Sequence, residues 1–244
     1  MNNFAFPVAL LFVLSLVLPI LFRLFRSGPR DARAVVEYAQ KRGYALVNPD
    51  LAQALNKSYL EMLKDPALRS SHRASMDISD IERLHDGTGD WLAFTCNLGS
   101  KEVAIFNLNV SLQRADTQGG SIHYKVARIK AAGLPRFSLG RNSALHTIEN
   151  VVDKITGASN RAITLDARQH PDFSAHFWIK GADPAAVTAF LSGDKIRFLE
   201  SAKLAGTLAT NANYLVYFED GVLASEKDFD SFIAKAQTVV ANLL

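Results

Sequence analysis

The sequence predicts an α+β domain with an antiparallel sheet and packed amphipathic helices, preceded by one N-terminal transmembrane helix. Two segments of alternating polarity, 91–98 and 103–110, predict strands of the sheet. The segment 226–243 repeats its apolar residues at helical spacing. Residues 4–22 carry no charged side chain, and at ~1.5 Å per residue they reach roughly the thickness of the hydrocarbon core of a bilayer.

Two alternatives to a permanent anchor fit residues 4–22 less well. A secretory signal needs a basic start and a small-residue cleavage site, but residues 1–3 contain no Lys or Arg and the downstream flank, Leu24 to Gly28, contains no A-x-A pattern. A lipoprotein signal needs a cysteine directly after the apolar core, and the only cysteine is Cys96. A buried core helix usually keeps one polar face, whereas this segment is apolar all round except for Ser15.

Arginines directly after the apolar segment predict its orientation. Arg23, Arg26 and Arg30 follow it, and no basic residue precedes it. Because positive residues stay on the cytoplasmic side, we expect an outside N-terminus and a cytoplasmic domain, in a single-pass protein of the cell inner membrane. The lipid bilayer is therefore one expected partner. A lipid-binding module that uses these arginines and Arg33 is a further hypothesis, although orientation alone accounts for arginines here.

The charge balance of the chain argues against nucleic-acid binding. The 244 residues carry a formal charge of +3, from 27 basic and 24 acidic residues. Residues 1–30 contain three of the arginines and no acid, so the remainder has 24 basic and 24 acidic residues and no net charge. A nucleic-acid interface usually needs a basic face on the folded domain. No nucleic-acid partner is therefore predicted. A single cysteine also excludes an intrachain disulfide framework.

Turn and cap signals define the elements of the domain. Asp31 is expected to cap a helix that ends at Gly43, and Gly99-Ser100 is expected to form a hairpin turn. The first half is predicted to contain helices over 32–42 and 50–64 and strands over 78–86, 91–98, 103–110 and 121–130. The last three strands are expected to form a meander with one buried face.

The second half reads as helices that alternate with strands. Asp183-Pro184 is a cap followed by proline at the first helical position. The predicted elements are a helix over 143–155, a strand over 174–180, a helix from 184 that breaks at Gly193 and resumes, hairpin strands over 203–210 and 214–219, and the final helix from 226. The predicted organisation is an anchor over 1–30 and a domain over 31–244. Whether that domain divides into two subdomains, 31–156 and 163–244, stays open.

The densest cluster of metal-ligating residue types lies in the stretch LDARQHPDFSAHFW. It contains Asp166, His170, Asp172 and His176, and two His with two Asp can bind a metal. The spacing is poor, because His170 and His176 are six positions apart across a proline. The same residues also fit a polar turn before a strand. His170, Asp172 and His176 are therefore weak metal candidates, and no cofactor is predicted.

Cys96 is the one candidate nucleophile that the sequence offers. It alternates with Leu92, Phe94 and Leu98 on the apolar side of a predicted strand. A reactive cysteine needs an accessible, electropositive setting, so an inert buried thiol is expected instead. The sequence contains no G-x-S-x-G, P-loop or H-E-x-x-H motif, and no catalytic residue is predicted.

Two tryptophans are candidates for contact with a partner. Trp91 and Trp178 each lie on the face opposite the most apolar residues of their predicted strands. Helices that cover both faces of the sheet would explain them. Alternatively, Trp178 is an exposed aromatic anchor for a partner protein.

Three stretches carry a resemblance to a known group of proteins. They are LPRFSLGR (134–141), ITLDARQHPDFSAHFWIKGADPAAVTAFL (163–191) and NYLVYFEDG (213–221). Through them the chain, from about residue 90 to 244, resembles uncharacterised bacterial proteins with one N-terminal transmembrane helix and a C-terminal α+β domain. The group has no assigned activity, so the resemblance implies the architecture alone.

These patterns together favour a non-enzymatic function. We expect a membrane-anchored interaction or scaffold module with an unknown protein partner in an unknown pathway. The alternative is a membrane-associated metal-dependent enzyme that uses Asp166, His170, Asp172 and His176.

Overall fold

The computed structural model describes an α+β domain. The described residues are 28–47, 75–76, 92–112, 120–142, 161–165, 170–202 and 204–244. They form one sheet, almost entirely antiparallel, with helices packed against it, which confirms the predicted fold class of the domain. The predicted anchor over 4–22 lies outside the described residues, as do the helices predicted over 50–64 and 143–155 and the strand predicted over 78–86. No helix of the described part is both long and apolar enough to cross a membrane.

The sheet has ten strands within the described residues. They are β1 (Ala45–Leu46), β2 (Ser75–Met76), β3 (Ala93–Leu98), β4 (Lys101–Leu112), β5 (Gly120–Lys130), β6 (Phe137–Arg141), β7 (Arg161–Ala162), β8 (Phe177–Gly181), β9 (Thr207–Asn211) and β10 (Tyr214–Asp220). Their order is β1-β3-β4-β5-β10-β9-β6-β8-β7, and β2 pairs with β4. Neighbouring strands are antiparallel except for β2 and β4.

Five helices accompany these strands in the described part of the chain. They are α1 (Gly28–Arg42), α2 (Pro171–His176), α3 (Pro184–Phe190), α4 (Gly193–Ala202) and α5 (Glu226–Leu243). The helix α1 begins four residues before its predicted start, because a proline in the first turn is compatible with a helix. It ends as predicted at Gly43, whose φ is 68°. The Tyr44 N–H donates to the Ala39 carbonyl at 2.9 Å, a bond typical of the Schellman end of a helix.

Local turn and cap signals also define the other elements. The predicted hairpin between β3 and β4 turns at Gly99, with φ of 62°. The Asp183 side chain caps α3 and accepts from the backbone N–H groups of Ala185 and Ala186 at 3.0 and 3.1 Å. The Ser225 hydroxyl caps α5 and accepts from the Asp228 N–H at 3.3 Å. These elements are therefore set by nearby residues.

One face of the sheet packs against the helices, and we call it the helix face. Its buried side chains include Phe94, Ile105, Ile129, Leu208 and Leu215. They share one apolar cluster with buried residues of all five helices: Val35, Tyr38 and Ala39 of α1, Phe173 of α2, Val187 of α3, Ile196 and Leu199 of α4, and Phe229, Phe232, Ala236, Val239, Val240 and Leu243 of α5. This cluster is the core of the domain.

The opposite face of the sheet is buried as well. Phe106, Tyr124, Val126 and Phe218 point to that face and are buried. The expectation that the meander has one buried face is therefore wrong for its central strands. Strands that are buried on both faces read as continuous apolar runs, and the run Val103 to Phe106 in β4 is of that kind.

The sheet joins strands from both sides of residues 157–162. The strand β6 precedes that segment, yet it pairs with β8 on one edge and with β9 on the other. Both of these partners follow the segment in the chain. The two halves considered as subdomains thus share one hydrogen-bonded sheet.

Candidate functional site

The weak metal candidates lie on and beside the short helix α2. His170 is its N-cap residue, while Asp172 lies in its first turn and His176 in its last. The strand predicted from Ser174 begins only at Phe177, because Pro171 starts a helical turn in place of the expected polar turn. Asp166 lies outside the described residues. Within the part of the chain that the structure describes, no three His, Cys, Asp or Glu side chains are grouped closely enough to hold a metal.

Trp178 is a buried residue of β8 and does not present an exposed surface. Its side chain is 8 % exposed, and its indole N–H donates to the Arg141 carbonyl at 3.0 Å. The ring lies so close over Gly140 that a Cβ there would be 2.8 Å from Cζ2. Of the two interpretations that the sequence left open, the exposed aromatic anchor is therefore wrong, because this face of the sheet is buried as well. Trp91 lies outside the described residues.

Cys96 is buried on the helix face of β3, as predicted. Burial raises the pKa of its thiol to about 11, so the thiol is protonated at neutral pH. A protonated, enclosed thiol is a poor nucleophile. The predicted burial of Cys96 is confirmed, and its inertness stays a prediction.

Alkylation of Cys96 is expected to be slow in the folded protein. At pH 8.5 iodoacetamide should modify the native protein at least about tenfold more slowly than the same protein in guanidinium, because the raised pKa and the burial both suppress the thiolate. The two rates can be compared by mass spectrometry. Equal rates in the two states would contradict the burial of this thiol.

A polar clamp joins the first and last helices of the domain. We define it as Tyr38, Lys41 and Arg42 of α1 with Glu226 and Asp230 of α5. The Tyr38 hydroxyl donates to Asp230 at 2.6 Å, and Arg42 donates to both Asp230 oxygens at 2.9 and 3.0 Å. Lys41 and Arg42 also contact Glu226 at 2.6 and 3.3 Å.

The apolar contact beneath the polar clamp contributes more stability than its ion pairs. The charged partners are largely exposed, and exposed pairs stabilise by only ~0–1 kcal/mol each. Tyr38, by contrast, is buried and stacks on Phe229 with ring centroids 4.4 Å apart. Burial and then the bond to Asp230 raise the pKa of Tyr38 well above its usual range, so its hydroxyl remains a donor. The apolar faces of α1 and α5 hold the two helices together, and the ion pairs fix the register between them.

A buried carboxylate lies where α5 crosses β10. Glu219 is 6 % exposed, and Lys235 donates to both of its oxygens at 2.9 Å. The Tyr217 hydroxyl donates to the same carboxylate, and burial together with Glu219 raises the pKa of Tyr217 above its usual range. The charge is thus paired and hydrogen-bonded, as a buried carboxylate requires.

Four buried hydroxyls have no hydrogen-bond partner among the described residues. They belong to Tyr124, Ser138, Ser174 and Thr207. Ser174 lies in α2, and the other three point to the face opposite the helices. Burial and the charge of Asp220 raise the pKa of Tyr124 to about 12.

An open pocket of about 640 Å³ lies between α4 and the last turn of α5. It is lined by Asp194, Arg197, Phe198, Glu200, Ser201 and Asn242. Four of these follow one another at helical spacing along one side of α4. Arg197 pairs with Asp194, and Glu200 Oε1 accepts from the Phe173 N–H at 2.9 Å. Two carboxylates and one guanidinium give the pocket mixed charge, which suits a polar ligand with both signs of charge.

The sequence analysis did not identify the clamp, the buried carboxylate or the pocket. Each is built from residues that are distant in the chain, such as Tyr38 and Asp230, which are 192 positions apart. Of the predicted membrane-flank arginines, Arg30 lies within α1. Arg23 and Arg26 lie outside the described residues.

Comparisons with known proteins do not identify a family. No protein-family model matches the chain, and no curated protein matches it. One solved structure, the mycobacterial trehalose monomycolate transport factor A, TtfA, is similar over 89% of this chain and 96% of its own chain. The identity is 10% and the TM-score is 0.46. A likeness of this degree indicates neither a family nor an activity.

Proposed function

We propose that the protein is a single-pass, membrane-anchored interaction module without catalytic activity. Residues 4–22 anchor it in the inner membrane, and its domain lies on the cytoplasmic side. The arginines that follow the apolar segment support this orientation. The unknown partner is a protein that the module positions at the membrane.

One observation carries this proposal: the first helix after the arginine flank is part of the domain core. The helix α1 starts at Gly28, six positions after the apolar segment ends at Phe22. Six fully extended residues span at most roughly 20 Å. Val35, Tyr38 and Ala39 of α1 are buried in the core. In this proposal the domain is held close to the anchor, through a helix that it cannot release without losing core contacts.

This arrangement suits a module that positions something at the membrane surface. The apolar contacts of α1 include the stacked pair Tyr38 and Phe229, and burial of one such side chain stabilises by ~1.5–3 kcal/mol. The polar clamp adds a defined register between α1 and α5. A domain attached in this way stays close to the bilayer, so its surface meets partners at the membrane.

In-cell crosslinking of the full-length protein, followed by detergent extraction and purification, tests the proposal. We expect one stoichiometric protein partner. The partner should be lost when Tyr38→Ala is combined with Arg42→Ala, which weakens the α1 contact, and retained with the matched exposed variant Arg136→Ala. Thermal melting of each variant reports whether the domain stays folded.

Catalytic turnover would contradict the proposal. If the purified protein converts a substrate in a broad hydrolase and transferase screen, and one point mutation abolishes that activity, the module is an enzyme. The metal-dependent alternative stays a sequence hypothesis, because Asp166 lies outside the described residues.

A further inference from the structure

The direction of α1 relative to α5 defines which end of the domain is near the anchor. Tyr38 of α1 contacts Asp230 of α5. Lys41 lies about one turn after Tyr38, and it contacts Glu226, which lies about one turn before Asp230. Residue numbers thus rise along α1 as they fall along α5. The two helices are antiparallel where they touch.

The start of α1 and the end of α5 therefore lie at the same end of the domain. From Tyr38 back to Gly28 is ten residues, or about 15 Å at ~1.5 Å per residue. From Asp230 forward to Asn242 is twelve residues, or about 18 Å. Both helices run these similar distances in the same direction from their contact. We call this the anchor end of the domain.

Two features of the anchor end are suited to a lipid surface. Leu244, directly after α5, is 37 % exposed and is one of two large exposed apolar residues in the described part of the chain. The pocket between α4 and α5 is at the same end, because Asn242 lines it. An apolar side chain and a polar pocket at the same end of the domain match the boundary between acyl chains and headgroups.

The side chains of the pocket match a headgroup that carries both charges. Arg197 can bind a phosphate oxygen, since its pairing with Asp194 uses one of the five guanidinium donors. Glu200 uses Oε1 for the Phe173 N–H, and a carboxylate has further lone pairs for an ammonium group. The excess of carboxylate over guanidinium favours a ligand that includes a cation.

We propose that this pocket binds the zwitterionic headgroup of a lipid of the anchoring membrane, a phosphodiester that carries a primary ammonium. Arg197 contacts the phosphate, and Glu200 contacts the ammonium. Phe198 packs against the methylene groups between the two charges. The proposal rests on the membrane anchoring described under Proposed function, and it adds a lipid partner to the protein partner proposed there.

Native mass spectrometry of the detergent-solubilised full-length protein measures this binding directly. Short-chain phosphatidylethanolamine and phosphatidylglycerol are added separately, and bound lipid is counted. We expect phosphatidylethanolamine to bind more tightly. Arg197→Gln and Glu200→Gln should each weaken it about tenfold, the effect of one lost charge-assisted bond. Glu200→Gln keeps an oxygen for the Phe173 N–H, so folding is preserved.

Matched variants make the result specific to the pocket. The exposed residues Arg136 and Glu102 provide the controls Arg136→Gln and Glu102→Gln, which should bind as the unchanged protein does. Equal binding of the two lipids, or unchanged binding by Arg197→Gln, would overturn the proposal. Because short-chain lipids reach the protein in micelles, this assay does not depend on the anchor, and failure of the anchor is detected separately by alkaline extraction of membranes.

A separate experiment measures whether the pocket lies near the membrane surface. A fluorophore on Ser201→Cys and one on Lys227→Cys, at opposite ends of the helix layer, are compared in lipid nanodiscs that contain spin-labelled headgroups. Stronger quenching at position 201 supports the proposal. Equal quenching, or stronger quenching at position 227, overturns it.

Discussion

Replacing Gly206 with alanine is expected to destabilise the domain by about 3 kcal/mol, the upper part of the range for overpacking a core. Gly206 is buried beside β10. A Cβ there would lie 2.5 Å from Tyr217 Cε2, 3.0 Å from Glu219 Cγ and closer still to the backbone oxygen of Phe218. The backbone oxygen cannot move without breaking the central strand, so no side-chain rearrangement relieves the clash.

The matched control for this substitution is Gly193→Ala in the first turn of α4. A Cβ at that position would meet only Arg197, at 3.9 Å, and alanine is a better helix former than glycine. Chemical denaturation of both variants gives the free energies of unfolding. We expect a large loss for position 206 and a neutral or small positive change for position 193. Equal denaturation midpoints would contradict the close approach of Gly206 to β10.

Replacing Lys235 with methionine is expected to cost about 2 kcal/mol. The substitution removes the cation from the buried Glu219 carboxylate and keeps the hydrogen bond from the Tyr217 hydroxyl. Breaking a fully buried pair from one side costs ~3–5 kcal/mol. The smaller value applies here because the lysine side chain is 44% exposed and water can reach its place.

Two further variants separate the charge effect from the loss of packing. Lys227→Met, on the exposed side of the same helix, should change the free energy of unfolding by less than ~0.5 kcal/mol. Glu219→Gln combined with Lys235→Met should recover part of the loss, because the uncompensated charge is then absent. If the double variant is as unstable as the sum of the single variants, the carboxylate and the ammonium are not coupled.

Local signals made much of the fold predictable from the sequence. The β3–β4 hairpin follows from Gly99, and the start of α3 from Asp183 and Pro184. The helical period of α5 identified its buried side, including Phe229 and Phe232. In each case the residues that determine the element are within a few positions of it.

Most errors arose where distant parts of the chain decide the outcome, and one arose from a local proline that was interpreted as part of a turn. Trp178 and Lys180 alternate with apolar residues, which is the pattern of a half-exposed strand, but β8 belongs to a sheet that is buried on both faces. The strand predicted from Ser174 fails because Pro171 begins a helical turn. The Glu219–Lys235 pair and the polar clamp could not be predicted from the sequence. A charged residue that will be buried or paired looks the same in a sequence as one that stays exposed.

The candidate site shows the same limit. The pocket depends on the packing of α4 against the end of α5, because Asn242 of α5 completes a lining that α4 otherwise provides. The metal candidates were selected for residue type and proximity in sequence. In the structure, His170, Asp172 and His176 lie at the start, in the first turn and in the last turn of the helix over 171–176. Residue type alone did not predict these separate positions.

The most direct test of the proposed anchoring and orientation is to measure on which side of the membrane the domain lies. The full-length variant Lys227→Cys is treated with a membrane-impermeant maleimide in intact spheroplasts and in inverted inner-membrane vesicles, and Asn2→Cys serves as the matched probe of the N-terminus. The native Cys96 is buried and protonated, so it contributes no background. We expect position 227 to react only in inverted vesicles and position 2 only in spheroplasts, with the protein resistant to alkaline extraction. Labelling of position 227 in intact spheroplasts, or release of the protein at alkaline pH, would contradict the proposed anchoring and orientation.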